Sequence, residues 1–341
     1  MNPRAARTSR FSVSVLTVLI ALLVGIAAPG TSGALTRPEA VGTGAMVTSA
    51  HSLASLAGME ILRKGGNAFD AAVAVGAAVS VLEPFYSNAG GIGFMTLHVA
   101  KTGEVISLDM MGPVPASATE EMFNDKTARE VGYKAGVVPG NIGGWIMLLE
   151  KYGTMSLAQV LAAAIHYAED GFPVDPLLAH HINRAKTNFG LFPSSAALFL
   201  KDGKGPEEGE IFYQKDLANT FKRLVAAEKK ALKAKKNRKK AIMAAYDLFY
   251  KGDIAKEMAA FYKENGGYFT LKDFSSFKPS FIPAIHSKYK EYDVYTNAPT
   301  SRGGVQTLMN LNMLESFDVK KIGHGTPEYI HLLAEIIKLN N

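Results

Sequence analysis

The chain has 341 residues, 48% apolar and 20% charged, with 32 glycines and no cysteine. That is enough for one large domain or two small ones and too apolar for a disordered chain. Without cysteine it can hold no disulfide, zinc–thiolate site, iron–sulfur cluster, thiol nucleophile or lipidated N-terminal cysteine. The net charge of +6 is unevenly spread: residues 1–34 carry three Arg and no acid, Lys222 to Lys240 carry ten Lys/Arg and one Glu, and the remainder is −6. A body-wide nucleic-acid footprint is therefore not expected.

In chain order, Arg4, Arg7 and Arg10 precede an uncharged apolar run from Phe11 to Ala28, then Pro29, Gly30 and small residues to Ala34. A charged start, an apolar stretch and a small-residue zone read as a secretory signal peptide over 1–34, cleaved near Ala34. The alternative is a signal anchor, since 18 apolar residues just span a bilayer. The expectation is export, to the periplasm or the extracellular space, with no stable membrane span after cleavage. Residues 35–44 read as a linker.

Ser49 is placed to cap a helix carrying Leu53, Leu56, Ala57 and Ile61, with Arg63 and Lys64 in its last turn and Gly65 as terminator. Asn67 to Leu82 has small apolar residues on every side, which predicts a helix buried all round; Pro84 stops it. The cluster Gly90-Gly91-Ile92-Gly93 leads into Phe94 to Val99 and, across Lys101-Thr102-Gly103, into Glu104 to Leu108, a β-hairpin pattern. Helices are expected at Asn141 to Tyr152 and Ser156 to Glu169, the latter capped by Ser156 and ended by Gly171. Asp175-Pro176 opens another. Lys215 to Phe261 is helix-rich, Ser287 to Tyr295 alternates as a strand, and Gly303-Gly304 opens a helix through Leu314. The class is α/β or α+β layers, with no internal repeat.

No G-x-S-x-G elbow, Walker loop or H-E-x-x-H occurs. The Gly90 cluster is not G-x-G-x-x-G and precedes a strand, so no dinucleotide cofactor is expected. His180 and His181 are adjacent, about 100° apart on a helix, and cannot chelate as an i, i+4 pair would; no metal or other cofactor is assigned. In the basic run, Lys229, Lys233, Lys236 and Lys240 fall along one helix side without interleaved aromatics. A solvated face fits this better than a nucleic-acid or membrane site, and attraction to an anionic cell-surface polymer stays open.

Glycine pairs recur at Gly65-Gly66, Gly90-Gly91, Gly143-Gly144, Gly266-Gly267 and Gly303-Gly304. With their surroundings they carry a family resemblance. The stretch from Met46 through His51 and Asn67-Ala-Phe-Asp70 to Ala74 resembles the opening of the γ-glutamyltransferase large subunit. So do Asn88 to Met95, Pro139-Gly140, Tyr152-Gly153-Thr-Met155, Ala168 to Val174, Phe249-Tyr250-Lys-Gly252 and Pro299-Thr-Ser-Arg-Gly-Gly304. The resemblance spans 45–341, with Lys222–Lys240 as a basic helical insertion. It implies part of an Ntn-hydrolase αββα sandwich, the large-subunit part, completed by a small subunit that begins with a nucleophilic Thr. A terminal α-amine titrates near neutrality beside its own hydroxyl, so one residue supplies nucleophile and base. The implied chemistry is amide hydrolysis or acyl transfer on glutathione-like γ-glutamyl or related small acyl-amide substrates. A catalytically inactive remnant, or a non-catalytic binding or partner subunit, is the alternative.

Two departures from the resemblance follow. The processing Thr and the small subunit have no counterpart in these 341 residues, so no catalytic residue is assigned. Signal cleavage would have to expose Thr36 to replace it, and Pro38 would disturb the strand such a nucleophile begins. Second, the resemblance implies an Arg after the hairpin that binds the substrate α-carboxylate, and Met111 stands there. A thioether cannot make that bidentate contact. Arg302 is the speculative substitute, against the plainer reading that it pairs with a surface acid. Exposed apolar faces are expected around Ile330, Leu333 and Ile337 and on the hairpin from Phe94 to Leu108.

Overall fold

A computed structural model describes residues 40–124 and 129–340. The predicted leader, its cleavage zone at Ala34, Thr36 and the first half of the 35–44 linker lie outside the described residues. The chain divides into two units, one ending at Met46 and one starting at Val47, and the second carries every element below.

Helix α1 (Ser52–Arg63) ends as expected, in a glycine with φ +86° at Gly65. Its start differs. His51, not Ser49, is the cap, its Nδ1 accepting from the Leu53 N–H at 3.2 Å, while Ser49 Oγ donates to the His51 carbonyl at 2.8 Å. Histidine is a rare cap because its acceptor exists only in one neutral tautomer, so sequence reasoning passes to the nearest serine. Leu56 is exposed; Ala54, Ala57, Gly58 and Ile61 form the buried stripe.

Helix α2 (Ala68–Leu82) lies at the centre of the core, against α1, and Asn67 and Asp70 form a reciprocal capping box at its start. Asp70 does more than cap: its buried carboxylate also accepts from the Thr154 N–H and hydroxyl and from the Met155 N–H, at 2.7–3.1 Å. A buried carboxylate needs such a set of donors, so Asp70 is a structural staple between two chain segments. The small side chains of α2 let neighbours approach closely, as where Trp145 lies over Gly76.

Strands β1 (Phe94–Val99) and β2 (Glu104–Asp109) form the expected hairpin, Phe94 facing Asp109 and Val99 facing Glu104. The expected exposed apolar face on this hairpin is not there. Leu97, Val99 and Leu108 are buried and Met95 and Ile106 pack against the core. Period-2 alternation sends these side chains to one covered face.

Then come α3 (Asn141–Lys151), α4 (Leu157–Val160) and α5 (Ala162–Asp170). The helix expected from Ser156 is capped by Ser156, with Gln159 completing a box, but breaks at Leu161 before resuming. Strand β3 (Phe172–Pro173) pairs with β4 (Ile211–Phe212) around α6 (Pro176–Gly190) and α7 (Pro193–Phe199). Asp175 caps α6 through the Leu178 N–H at 2.7 Å.

The basic run does not lie along one helix. It spans α8 (Lys215–Lys233), a turn, and the start of α9 (Arg238–Tyr250), which Asn237 caps. Both helices also face the core through Phe221, Leu224, Ile242, Ala245 and Tyr250. Helices α10 (Asp253–Glu264) and α11 (Leu271–Ser276) lead to β5 (Ser280–Pro283), which adds to β2 and makes a three-stranded antiparallel sheet, β1-β2-β5.

The single strand expected at Ser287 to Tyr295 is a tight hairpin, β6 (Ile285–Tyr289) and β7 (Tyr292–Thr296). Its turn, Lys290-Glu291, has Lys290 at φ +55° and contains no Gly, Asn or Asp, so the usual hairpin signal is missing. The Lys290 N–H is held by Glu315 Oε1 at 3.0 Å. Helices α12 (Arg302–Leu314), α13 (Val319–Ile322) and α14 (Pro327–Leu339) finish the described chain. On α14 the expected exposed face is partly present: Ile330 and Ile337 are 61% and 45% exposed, Leu333 is half-buried and Ile336 is buried. No helix among the described residues is long and apolar enough to cross a membrane.

Candidate functional site

The glycine-rich loop 88–93, the segment after β2 and the start of α3 are laced together by main-chain hydrogen bonds. The Gly91 carbonyl accepts from the N–H groups of Gly140 and Asn141 at 2.8 and 3.1 Å, and the Gly93 carbonyl accepts from Met110 at 3.2 Å. Asn141 reaches back through Nδ2 to the Asn88 carbonyl at 2.7 Å. The approach is so close that a β-carbon on Gly140 would lie 1.7 Å from the Met110 carbonyl oxygen, and one on Gly112 equally close to that of Val138. These glycines are required by contact rather than by backbone angle.

Tyr250, fully buried on α9, completes this knot. Its hydroxyl accepts from the Gly143 N–H at 2.9 Å and donates to the Pro139 carbonyl at 2.6 Å. Burial drives its pKa far above the ordinary tyrosine range, so it stays a neutral donor. Downstream, the Ala116 N–H donates to Asp273 Oδ1 at 2.8 Å, and Asp273 Oδ2 takes the Thr270 N–H and hydroxyl. Burial pushes the Asp273 pKa up, but these hydrogen bonds outweigh it and hold the carboxyl below its usual range. The segment between Tyr250's knot and Asp273's anchor is the one that carries Met111.

Met111 sits half-buried just past β2, with its N–H donating to Asp109 Oδ1 at 2.8 Å. The other oxygen of Asp109 accepts from the Thr300 hydroxyl at 2.5 Å. Thr300 lies two residues before Arg302, the exposed first residue of α12, so one carboxylate, at the end of the central strand β2, ties the segments bearing Met111 and Arg302 to the same end of the sheet. A second tie is the Ala298 N–H to Ser107 Oγ at 3.4 Å. Asn297 Nδ2, in the same loop, is buried without a partner among the described residues.

Chemically this edge holds and orients. Its hydroxyl, Thr300, spends its proton on a carboxylate, which is too weak a base near neutral pH to generate an alkoxide. The sequence reading named Met111 and Arg302 and missed Asp109, Thr300, Tyr250 and Asp273. Thr300 and Tyr250 lie inside quoted motifs, but their roles depend on partners 100 or more residues away.

The chain matches the family described as Gamma-glutamyltranspeptidase over residues 54–341. It is 36% identical over 300 residues to the glutathione hydrolase-like YwrD proenzyme of Bacillus subtilis, covering 87% of this chain and 54% of that one. It is 33% identical over 315 residues to the acylase ACY 1 proenzyme of Pseudomonas sp. (strain SE83), covering 89% and 53%. Among solved structures it is similar to the gamma-glutamyltranspeptidase of Helicobacter pylori, with a TM-score of 0.80 and 33% identity over 89% of this chain and 84% of that chain. The chain spans about half the length of the curated relatives it matches.

Proposed function

The chain belongs to the gamma-glutamyltranspeptidase family and carries a large-subunit-sized part of the Ntn-hydrolase fold, and we propose that it supplies the substrate-positioning half of an exported amide hydrolase or acyltransferase. Catalysis requires a small subunit that begins with Thr, whose hydroxyl attacks the acyl-amide while its own amine takes the proton. The observation that carries the reading is the edge at Met111. It is held rigidly by the Gly91–Gly140 knot, Asp109 and Asp273, as a site that must place a substrate to a fraction of an ångström has to be.

At Met111 the edge offers a thioether where the family resemblance implies an Arg. The acyl group held here therefore depends less on an α-carboxylate, and small acyl-amides other than γ-glutamyl ones are the favoured donors. Arg302 is the substitute cation of this reading, supported by the Thr300–Asp109 bond two residues before it. Export is supported by Arg4, Arg7, Arg10 and the apolar run that follows them.

The test is expression of the chain by itself and together with a Thr-initiated small subunit, assayed on γ-glutamyl and other acyl anilides. The chain by itself should release no aniline, and the pair should. Turnover by the single chain beyond mock-purified controls, or a folded pair inert on every acyl anilide, would refute the proposal.

A further inference from the structure

The basic run takes no part in the site above, and its residues divide into two sets. Four are spent on the fold. Lys222 pairs with Glu169, Arg223 grips Glu257 with two bonds of 2.8 Å, Lys239 lies 3.4 Å from Glu150, and Arg238 donates to the carbonyls of Leu149 and Met155. The other six, Lys229, Lys230, Lys233, Lys235, Lys236 and Lys240, are exposed, and among the described residues no ion pair within 4 Å neutralises any of them. They surround the turn between α8 and α9. The run's one acid, Glu228, is buried and accepts the Leu157 N–H at 2.9 Å, so it faces away from this surface.

Two further observations mark the turn. The small side chains of Ala227, Ala231, Ala234 and Ala244 floor a groove of about 490 Å³ between the helices, flanked by Lys230 and Lys236. Asp247, the acid on the same groove, is already paired with Lys251 at 2.9 Å. The second is Lys235. The Lys235 N–H bonds to the Leu232 carbonyl and the Lys236 N–H to that of Ala231, the paired bonds of a glycine-type helix ending, yet the residue at φ +59° is lysine. A cation occupies a position where glycine would be unstrained.

We propose that the α8–α9 turn is a binding site for a linear polyanion, a soluble chain of repeating phosphate or carboxylate groups laid along the alanine-floored groove. Each lysine that neutralises an anionic group releases a condensed counterion, which drives binding and makes it salt-dependent. The rest of the body, at −6, repels such a chain and confines it to the turn. The run has no aromatic residue on which bases could stack, and Leu232 is its one exposed large apolar side chain, too little to seat the helix in a membrane.

The test uses the full chain and labelled polyphosphate and polyglutamate, titrated by fluorescence anisotropy between 50 and 300 mM salt, on the order of the range over which phosphate contacts weaken. One or both polymers should bind, and which one does identifies the anion. Log affinity should fall linearly with log salt. The triple variant K230Q/K233Q/K236Q should bind about tenfold or more weakly, with a salt slope lower by about two. A control of equal charge change, K64Q/K256Q/K338Q, should bind as the unaltered chain does. Lys235→Gly should melt at a higher temperature and yet bind more weakly, which separates binding from folding. The proposal is overturned by no saturable binding of either polymer at the lowest salt, by an equal loss in the control, or by binding confined to anionic phosphatidylglycerol vesicles.

Discussion

On the proposed function, Met111 is the residue on which specificity turns. It offers a polarisable, uncharged chain where the family resemblance implies a planar, permanently charged fork, so the difference proposed is chemical rather than geometric. In the assembled enzyme, Met111→Arg should raise kcat/KM for γ-glutamyl anilide by about tenfold or more, the worth of one charge-assisted bidentate pair. Unchanged or reduced kcat/KM would place the acyl group elsewhere. Tyr250 poses a different question at the same scale. Tyr250→Phe keeps the ring packing against Phe277 and Tyr246 but leaves the Gly143 N–H and Pro139 carbonyl without their partner. A loss of about 1–3 kcal/mol is expected in chemical denaturation, with the midpoint moving and the slope unchanged.

Among the elements, α11 governs the segment after Met111. Asp273 sits in its first turn, where the helix dipole and the Thr270 cap favour its charge, and it clamps Ala116 157 residues away in sequence. Its folded pKa lies below the unfolded value of about 3.9, so the stabilisation is complete above that pH and is lost as pH falls through the folded pKa. Asp273→Asn should therefore lower the melting temperature at pH 6–7, at a cost of about 1–3 kcal/mol. The gap between variant and parent should narrow as pH falls below the unfolded value of about 3.9. A gap that stays constant across that range would show that the carboxylate's charge is not what holds the segment.

At the scale of the whole molecule, the apolar surface is unequally shared. The β1–β2 hairpin is covered, whereas α14 leaves Ile330 and Ile337 in solvent, together with Leu339 at its end. Exposed apolar residues grouped on one helix mark a partner surface more often than a lapse of packing. Changing Ile330 and Ile337 together to Lys should reduce hydrophobic-dye binding by the isolated chain without lowering its melting temperature. It should also abolish co-purification with a small subunit. Retained co-purification would move the subunit contact away from α14.

Much of this was written locally in the sequence. The β1–β2 hairpin, the Asp175-Pro176 helix start and the Gly65 and Gly171 terminators each depend on residues a few positions apart. Period, cap and turn chemistry are short-range physics and can be read without the fold. The family resemblance, carried by such stretches in order, pointed to Met111 and Arg302. Where a local rule has two solutions the sequence did not choose: His51 over Ser49 as cap, a hairpin through Lys290 rather than one strand, and a break at Leu161. The rest belongs to tertiary structure alone. That the hairpin's apolar side is covered, that Asp109 meets Thr300 191 residues away, and that six lysines of the basic run have no ion-pair partner among the described residues while two Lys and two Arg are spent on the fold were decided by which distant segments meet. Side-chain pairing and burial are properties of that meeting, and no window along the chain contains both partners.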